Sequence, residues 1–95
     1  MAPYVHGSIV SRAPNYWVVS GDSLSTPAWL IGSWSFTVTS ATLVRWLGGG
    51  VADTSTLTVG RDVWVEVTNQ ESLYVSQWLV ADPGAPADVI FVQGP

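Results

Sequence analysis

The chain contains no cysteine, which excludes disulfides and thiolate chemistry and fits maturation in a reducing compartment better than a bridged, secreted scaffold. It contains no lysine either. Its three cations are Arg12, Arg45 and Arg61, set against seven carboxylates for a formal net charge of −4. Nucleic acid is not expected as a partner, because binding there rests on Lys and Arg neutralising phosphates. Charged residues are 11% of the chain, where about 25% is usual. Surface charge and edge lysines are the ordinary guards of a β protein against self-association, so a chain short of both is expected to have something to associate with. Long apolar runs are missing too. Val89-Ile90-Phe91-Val92 is far short of a membrane span, so no membrane is expected as a partner. Residues 1–6 carry neither a basic region nor an apolar stretch, so export by the standard route is not expected. No stretch holds a 3.6-residue period over ten positions, which leaves little room for helix.

Tryptophan and valine are present in quantity. Six of the 95 residues are Trp and fifteen are Val. The length suits a single domain over residues 1–95 with one core. A core of that size does not easily bury six indoles beside so many valines, and Trp, Tyr and Arg are the residues that interfaces favour over Lys and Glu. The aromatics therefore divide into core and contact candidates.

The clearest pattern runs from Ser33 to Leu47. Trp34, Phe36, Val38, Thr42, Val44 and Trp46 share one parity, and a side-chain period of two marks extended chain. Fifteen residues is about twice an ordinary strand, so a break or bulge is expected at Ser40-Ala41. Upstream, Tyr4 to Val10 reads as a strand in which Gly7 signals a bulge or a close backbone approach. Tyr16 to Ser20 reads as a second strand, and Leu24 to Gly32, with Pro27, as a structured loop. Downstream, Gly48-Gly49-Gly50 is a turn, since no helix or lysine follows to make it a phosphate cradle. Ser55 to Val59 and Asp88 to Gln93 read as further strands.

Residues 63–68 and 72–80 read as a hairpin. Val63, Val65 and Val67 would then line the core, and Trp64, Tyr74 and Trp78 would gather on the opposite face as an aromatic platform. These three, with Arg45 on the central ribbon and Trp29 in the loop after Pro27, are the candidate interface residues. Trp17 and Trp34, embedded among valines and aromatics, are expected in the core.

Seven to eight short strands punctuated by Gly, Pro, Asn and Asp at near ten-residue intervals indicate an all-β fold, a single antiparallel β-sandwich or small barrel. The runs 41–46, 55–59 and 63–68 resemble consecutive strands of an immunoglobulin-like domain. That resemblance would place Trp46 beneath the sheets; the cysteine pair and the tyrosine corner of the antibody family are missing.

Catalytic signals are sparse. His6 is the single histidine, so a metal site or a relay would have to be completed by carboxylates. Asp22 near Ser23 and Asp53 near Ser55 read as turn residues, because no Gly-x-Ser-x-Gly elbow accompanies them. Asp53, Asp62, Asp82 and Asp88 are the loop carboxylates that could approach calcium, without the Asp-x-Asp-x-Asp spacing that binding loops use. No enzyme activity, metal or cofactor is expected.

As a short, Cys-free, Lys-free, Val-, Thr- and Trp-rich all-β chain, the sequence resembles small accessory proteins of tailed-phage virions: capsid decoration proteins and minor tail components. The resemblance is one of type across the whole chain. It implies a structural role, partners among capsid or tail subunits or further copies of the chain, and a virion location after assembly in a bacterial cytoplasm. The alternative is a carbohydrate-binding module that uses a Trp and Tyr platform.

Overall fold

The computed structural model describes residues 3–13, 16–26, 28–67 and 85–94, and of Trp29 the backbone alone. Seven strands alternate with two short 3₁₀ turns: β1 (Tyr4–Arg12), β2 (Trp17–Gly21), β3 (Gly32–Thr37), β4 (Leu43–Trp46), β5 (Asp62–Glu66), β6 (Ala85–Pro86) and β7 (Val89–Val92), with the turns at Ala28–Leu30 and Thr54–Thr56. All seven belong to one sheet, in the order β4-β7-β5-β1-β2-β3-β6. The all-β expectation holds. The described strands nevertheless form one mixed sheet curled into a half-barrel, not two stacked antiparallel sheets.

The central ribbon explains the mixture. It breaks where expected: Thr42 N–H returns to the Thr39 carbonyl, and the Thr39 and Thr42 hydroxyls bind backbone N–H groups inside the same turn. The halves on either side, β3 and β4, go to opposite ends of the sheet. The C-terminal segment accompanies them, with β6 parallel to β3 and β7 parallel to β4. Between these pairs, Ala87 N–H donates to the Thr37 carbonyl, the Thr42 hydroxyl to the Ala87 carbonyl, and Leu43 N–H to the Asp88 carbonyl. Two segments of the chain running side by side thus join the ends of the sheet. Side-by-side travel in one direction makes those pairs parallel.

Register puts one side-chain set inside. Val5 lies opposite Val65, Ile9 opposite Val19, Val19 opposite Trp34, Val65 opposite Ile90, and Val44 opposite Ile90. Trp34, Phe36 and Val44 are buried, and Val38 and Trp46 pack against the cluster half-buried, so the ribbon's parity is right across its break. Trp34 donates its indole N–H to the Leu30 carbonyl at 2.7 Å, which satisfies its one polar atom inside the core. Trp17 packs at the margin, its indole N–H on the Leu57 carbonyl and its face under Arg12. Trp46 takes a similar marginal place: Arg61 lies over it, and Gly94 packs so closely that a Cβ there would sit 2.9 Å from the ring. A void of about 10 Å³ lies among Ile9, Val19, Phe36, Leu57, Val63 and Val65, and its apolar lining would keep it dry.

Gly7 makes a close approach to β2. A Cβ there would fall 1.8 Å from the Ser20 carbonyl oxygen. The bulge sits three residues on, where the β1–β2 register slips between Ile9 and Ser11 and leaves Val10 exposed.

Two expectations change. Residues 55–59 are not a strand: Asp53 caps a 3₁₀ turn with its carboxylate on Ser55 N–H, and the Thr56 hydroxyl donates to the Asp53 carbonyl. Such short side-chain bonds compete with a ladder for the backbone. Leu57 ends up 1% exposed and Val59 63% exposed, although strand alternation would have put both on one face. The 63–68 arm also does not pair as expected. β5 is taken on one edge by β1 and on the other by β7, which leaves neither edge for a 72–80 partner. Residues 68–84 lie outside the described ones.

Candidate interaction surface

The face of the sheet opposite the core carries a continuous row of neighbours. Pairings run from Val51 to Arg45, Arg45 to Phe91, Phe91 to Trp64 and Trp64 to His6, crossing β4, β7, β5 and β1. At about 4.8 Å between strands, the row is roughly 20 Å long, and directly opposed Cβ atoms lie about 4.5–5.5 Å apart. A second row lies beside it: Leu43 opposite Val89, Val89 opposite Glu66, Glu66 opposite Tyr4. Trp64, Phe91, Arg45, Val89, Glu66 and Tyr4 are half-buried. Leu43 is 47% and Val51 75% exposed, so aliphatic side chains border the patch at the β4 end.

Of the five expected interface residues, Trp64 and Arg45 meet on this row, two strands apart with Phe91 between them. Tyr74 and Trp78 lie outside the described residues, as does the Trp29 side chain. Trp29's backbone forms the first 3₁₀ turn. Trp64 has His6 and Phe91 as its cross-strand neighbours. Phe91 was legible in principle: in Val89-Ile90-Phe91-Val92 it takes the parity opposite Ile90 and Val92, both of which are buried.

His6 is the residue whose surroundings the sequence hid. It is 8% exposed, with its ring 4.2 Å from the Trp64 ring at a 44° tilt. Its Nδ1 lies 2.8 Å from Asp22 Oδ1, an arrangement in which the imidazole N–H donates to the carboxylate. Asp22 Oδ1 also accepts from Leu24 N–H, and the hydrogen bond from His6 is the main cause holding this carboxyl below its ordinary value, with desolvation opposing it. The Asp22 side chain is 48% exposed, so solvent screens much of that pairing. Ser25 completes the cluster without becoming a nucleophile: its hydroxyl accepts from His6 N–H and donates to the His6 carbonyl, bonding the backbone and not the imidazole. The three residues pin the 22–26 loop to β1, with Thr26 and Tyr4 exchanging backbone bonds beside them.

Charge on the patch is thin. Among the described residues no arginine is ion-paired to a carboxylate. Arg12 and Arg61 lie over Trp17 and Trp46, and Arg45 donates at a long 3.4 Å to the carbonyl of the preceding residue, Val44. A shallow groove runs along the rim between Thr42–Arg45 and Val51–Thr54. Among the described residues no three His, Asp or Glu side chains gather in a metal-binding group, and no helix is long and apolar enough to cross a membrane. Fold and surface together define a small all-β half-barrel with an aromatic and aliphatic stripe on its convex side. Comparison with protein-family models, curated proteins and solved structures found no match to this chain.

Proposed function

We propose that the chain is a non-enzymatic structural subunit of a large protein assembly, of the kind that decorates capsids or builds minor tail parts in tailed-phage virions, and that it meets neighbouring subunits through the convex stripe. The observation that carries this reading is the row of Arg45, Phe91 and Trp64, bordered by exposed Leu43 and Val51, in a chain without lysine. Aromatic and Arg anchors surrounded by aliphatic rim residues are what interface centres use. An unguarded patch of this sort on an isolated monomer would promote association.

A second reading uses the same residues. Trp64 and Phe91 are half-buried aromatics with Arg45 and Glu66 as neighbours on the same face, and aromatic rings beside polar groups are the chemistry that a carbohydrate platform needs. Native mass spectrometry with a glycan array separates the two. The assembly reading expects ordered multimers that dissociate in Trp64→Ala and Arg45→Ala. A strict monomer that binds polysaccharide, and loses that binding in Trp64→Ala, would overturn it in favour of the sugar module.

A further inference from the structure

The row on the convex face has a centre. It runs Val51, Arg45, Phe91, Trp64, His6, so Phe91 on β7 has Arg45 one strand away on β4 and Trp64 one strand away on β5. In the adjoining row, Val89 on the same strand lies between Leu43 and Glu66. A half-turn about an axis along β7 carries the β4 positions onto the β5 positions. Arg45 falls on Trp64, Leu43 falls on Glu66, and Phe91 and Val89 fall on themselves.

The two sides of this axis complement each other. Arg12 lies 5.4 Å over the Trp17 ring and Arg61 5.9 Å over the Trp46 ring, the geometry of cation–π contacts. Arg45 has neither a ring nor a carboxylate among the described residues, only its long bond to the Val44 carbonyl. Trp64 has no guanidinium over it, and its indole N–H has no acceptor among the described residues, whereas Trp17 and Trp34 donate theirs to carbonyls. Within one chain the two cannot meet directly, because Phe91 stands between them and two strand spacings separate them by about 10 Å. Asp62 and Glu66 alternate with Trp64 on β5 and share its face. Among the strand residues of this face, the cation is therefore on the β4 side of the axis and carboxylates are on the β5 side.

We propose that two copies of this chain pack convex face to convex face about a two-fold axis along β7, each laying its Arg45 over the other copy's Trp64. This rests on the assembly reading and names one neighbour as a second copy. An isologous contact uses the same patch twice, so the Arg–Trp pair forms two times. Glu66 of the opposite copy, one row from Trp64, offers the guanidinium a carboxylate, and Phe91 and Val89 meet their own counterparts at the centre. The curl of the sheet confines contact to β4, β7 and β5, an area roughly 10 Å across and 13 Å along the strands. That is far below the ~800 Å² per partner of a stable complex. The pair is therefore weak in dilute solution and forms where an assembly holds copies at high local concentration.

Val89 lies on the axis, and a chain without cysteine makes a single thiol there a clean reporter. Full-length Val89→Cys is oxidised at concentrations up to about 1 mM, where weak pairs associate, beside Val59→Cys, whose site is 63% exposed and off this face. The expected result is disulfide dimer forming at least about tenfold faster at position 89, because pairing raises the local thiol concentration, with most of that excess lost when Arg45→Ala is added. Sedimentation equilibrium of the cysteine-free chain should show a monomer–dimer step that weakens in Arg45→Ala and in Trp64→Ala, which covers any misfolding of the cysteine variant. Equal rates at positions 89 and 59, with the parent chain monomeric throughout, overturn the proposal. So does a trapped dimer indifferent to Arg45→Ala. Multimers that dissociate in Trp64→Ala yet are not trapped at position 89 refute the two-fold pair alone and leave the stripe as an assembly interface. A chain that stops at the trapped dimer and builds nothing larger supports the pair and defeats the large-assembly reading.

Discussion

Leu57 offers the sharpest test of how this half-barrel is filled. It sits just after the 3₁₀ turn that replaces an expected strand, 1% exposed, against Ile9, Trp17, Val19, Phe36, Val63, Val65 and Ile90. Its side chain closes the lumen, and its carbonyl receives the Trp17 indole N–H at 3.2 Å. Leu57→Ala removes three carbon groups from this contact. At about 0.8 kcal/mol per buried methylene the transfer loss is roughly 2.4 kcal/mol. A cavity penalty adds to it and brings such substitutions into a range of about 2–5 kcal/mol. The strands around the site are fixed by their ladders, but the 54–60 loop can settle inward by a fraction of a methyl group, so the expected loss is about 3 kcal/mol. Urea unfolding followed by tryptophan fluorescence should show the midpoint falling by roughly 2–3 M for a slope near 1 kcal/mol/M. If Leu57 instead lay on an edge strand facing solvent, the change would stay within about 0.5 kcal/mol. A loss below about 1 kcal/mol would refute the assignment of Leu57 as the plug.

Gly7→Ala should be far worse than its size suggests, because the new Cβ meets the backbone oxygen of Ser20 at 1.8 Å and can be accommodated only by parting β1 from β2. Gly48→Ala, whose Cβ points into open space at an ordinary φ, should be neutral or stabilising by up to about 1 kcal/mol; equal losses at the two positions would contradict the β1–β2 geometry. Asp22→Asn tests the His6 latch through pH. Because the folded-state carboxyl titrates below its ordinary value of 3.8, its stabilising contribution is fully present above that pH and fades as the pH falls through the lower folded value. The stability difference between the parent and Asp22→Asn should therefore be present at neutral pH and vanish in strong acid, and a difference that grows on acidification would invert the argument.

Much of the inner face was legible because parity survives a turn. In the central ribbon, Trp34, Phe36, Val44 and Trp46 point inward although β3 and β4 stand at opposite ends of the sheet, and alternation along a chain needs no knowledge of what lies beside it. The length of the alternating run likewise marked the break at Ser40-Ala41, and glycine marked the 48–50 turn and the close approach at Gly7. Trp64 and Arg45 could be picked out as outward-facing for the same reason. Pairing is another matter. Nothing local distinguishes a β5 partnered by a following hairpin arm from one flanked by β1 and β7, since either choice keeps Val63 and Val65 inside. The 55–59 segment alternated well enough for a strand, and only the Asp53 cap and the lumen waiting for Leu57 turned it the other way.

Legible along the chain were its all-β character, a valine and aromatic core, the parity that sends Trp34 inward and Trp64 outward, and a shortage of charge. Those properties are set by composition and by a two-residue period, which act within a few positions of the chain. Long-range contacts settle the rest: the ends of the sheet are joined by two parallel segments, Phe91 completes the row between Arg45 and Trp64, and His6 is held by Asp22 and Ser25 from across a loop. Each of these unites residues far apart in sequence, and the free energy that selects among such contacts comes from burial and hydrogen-bond satisfaction over the whole sheet, which no short stretch of sequence carries.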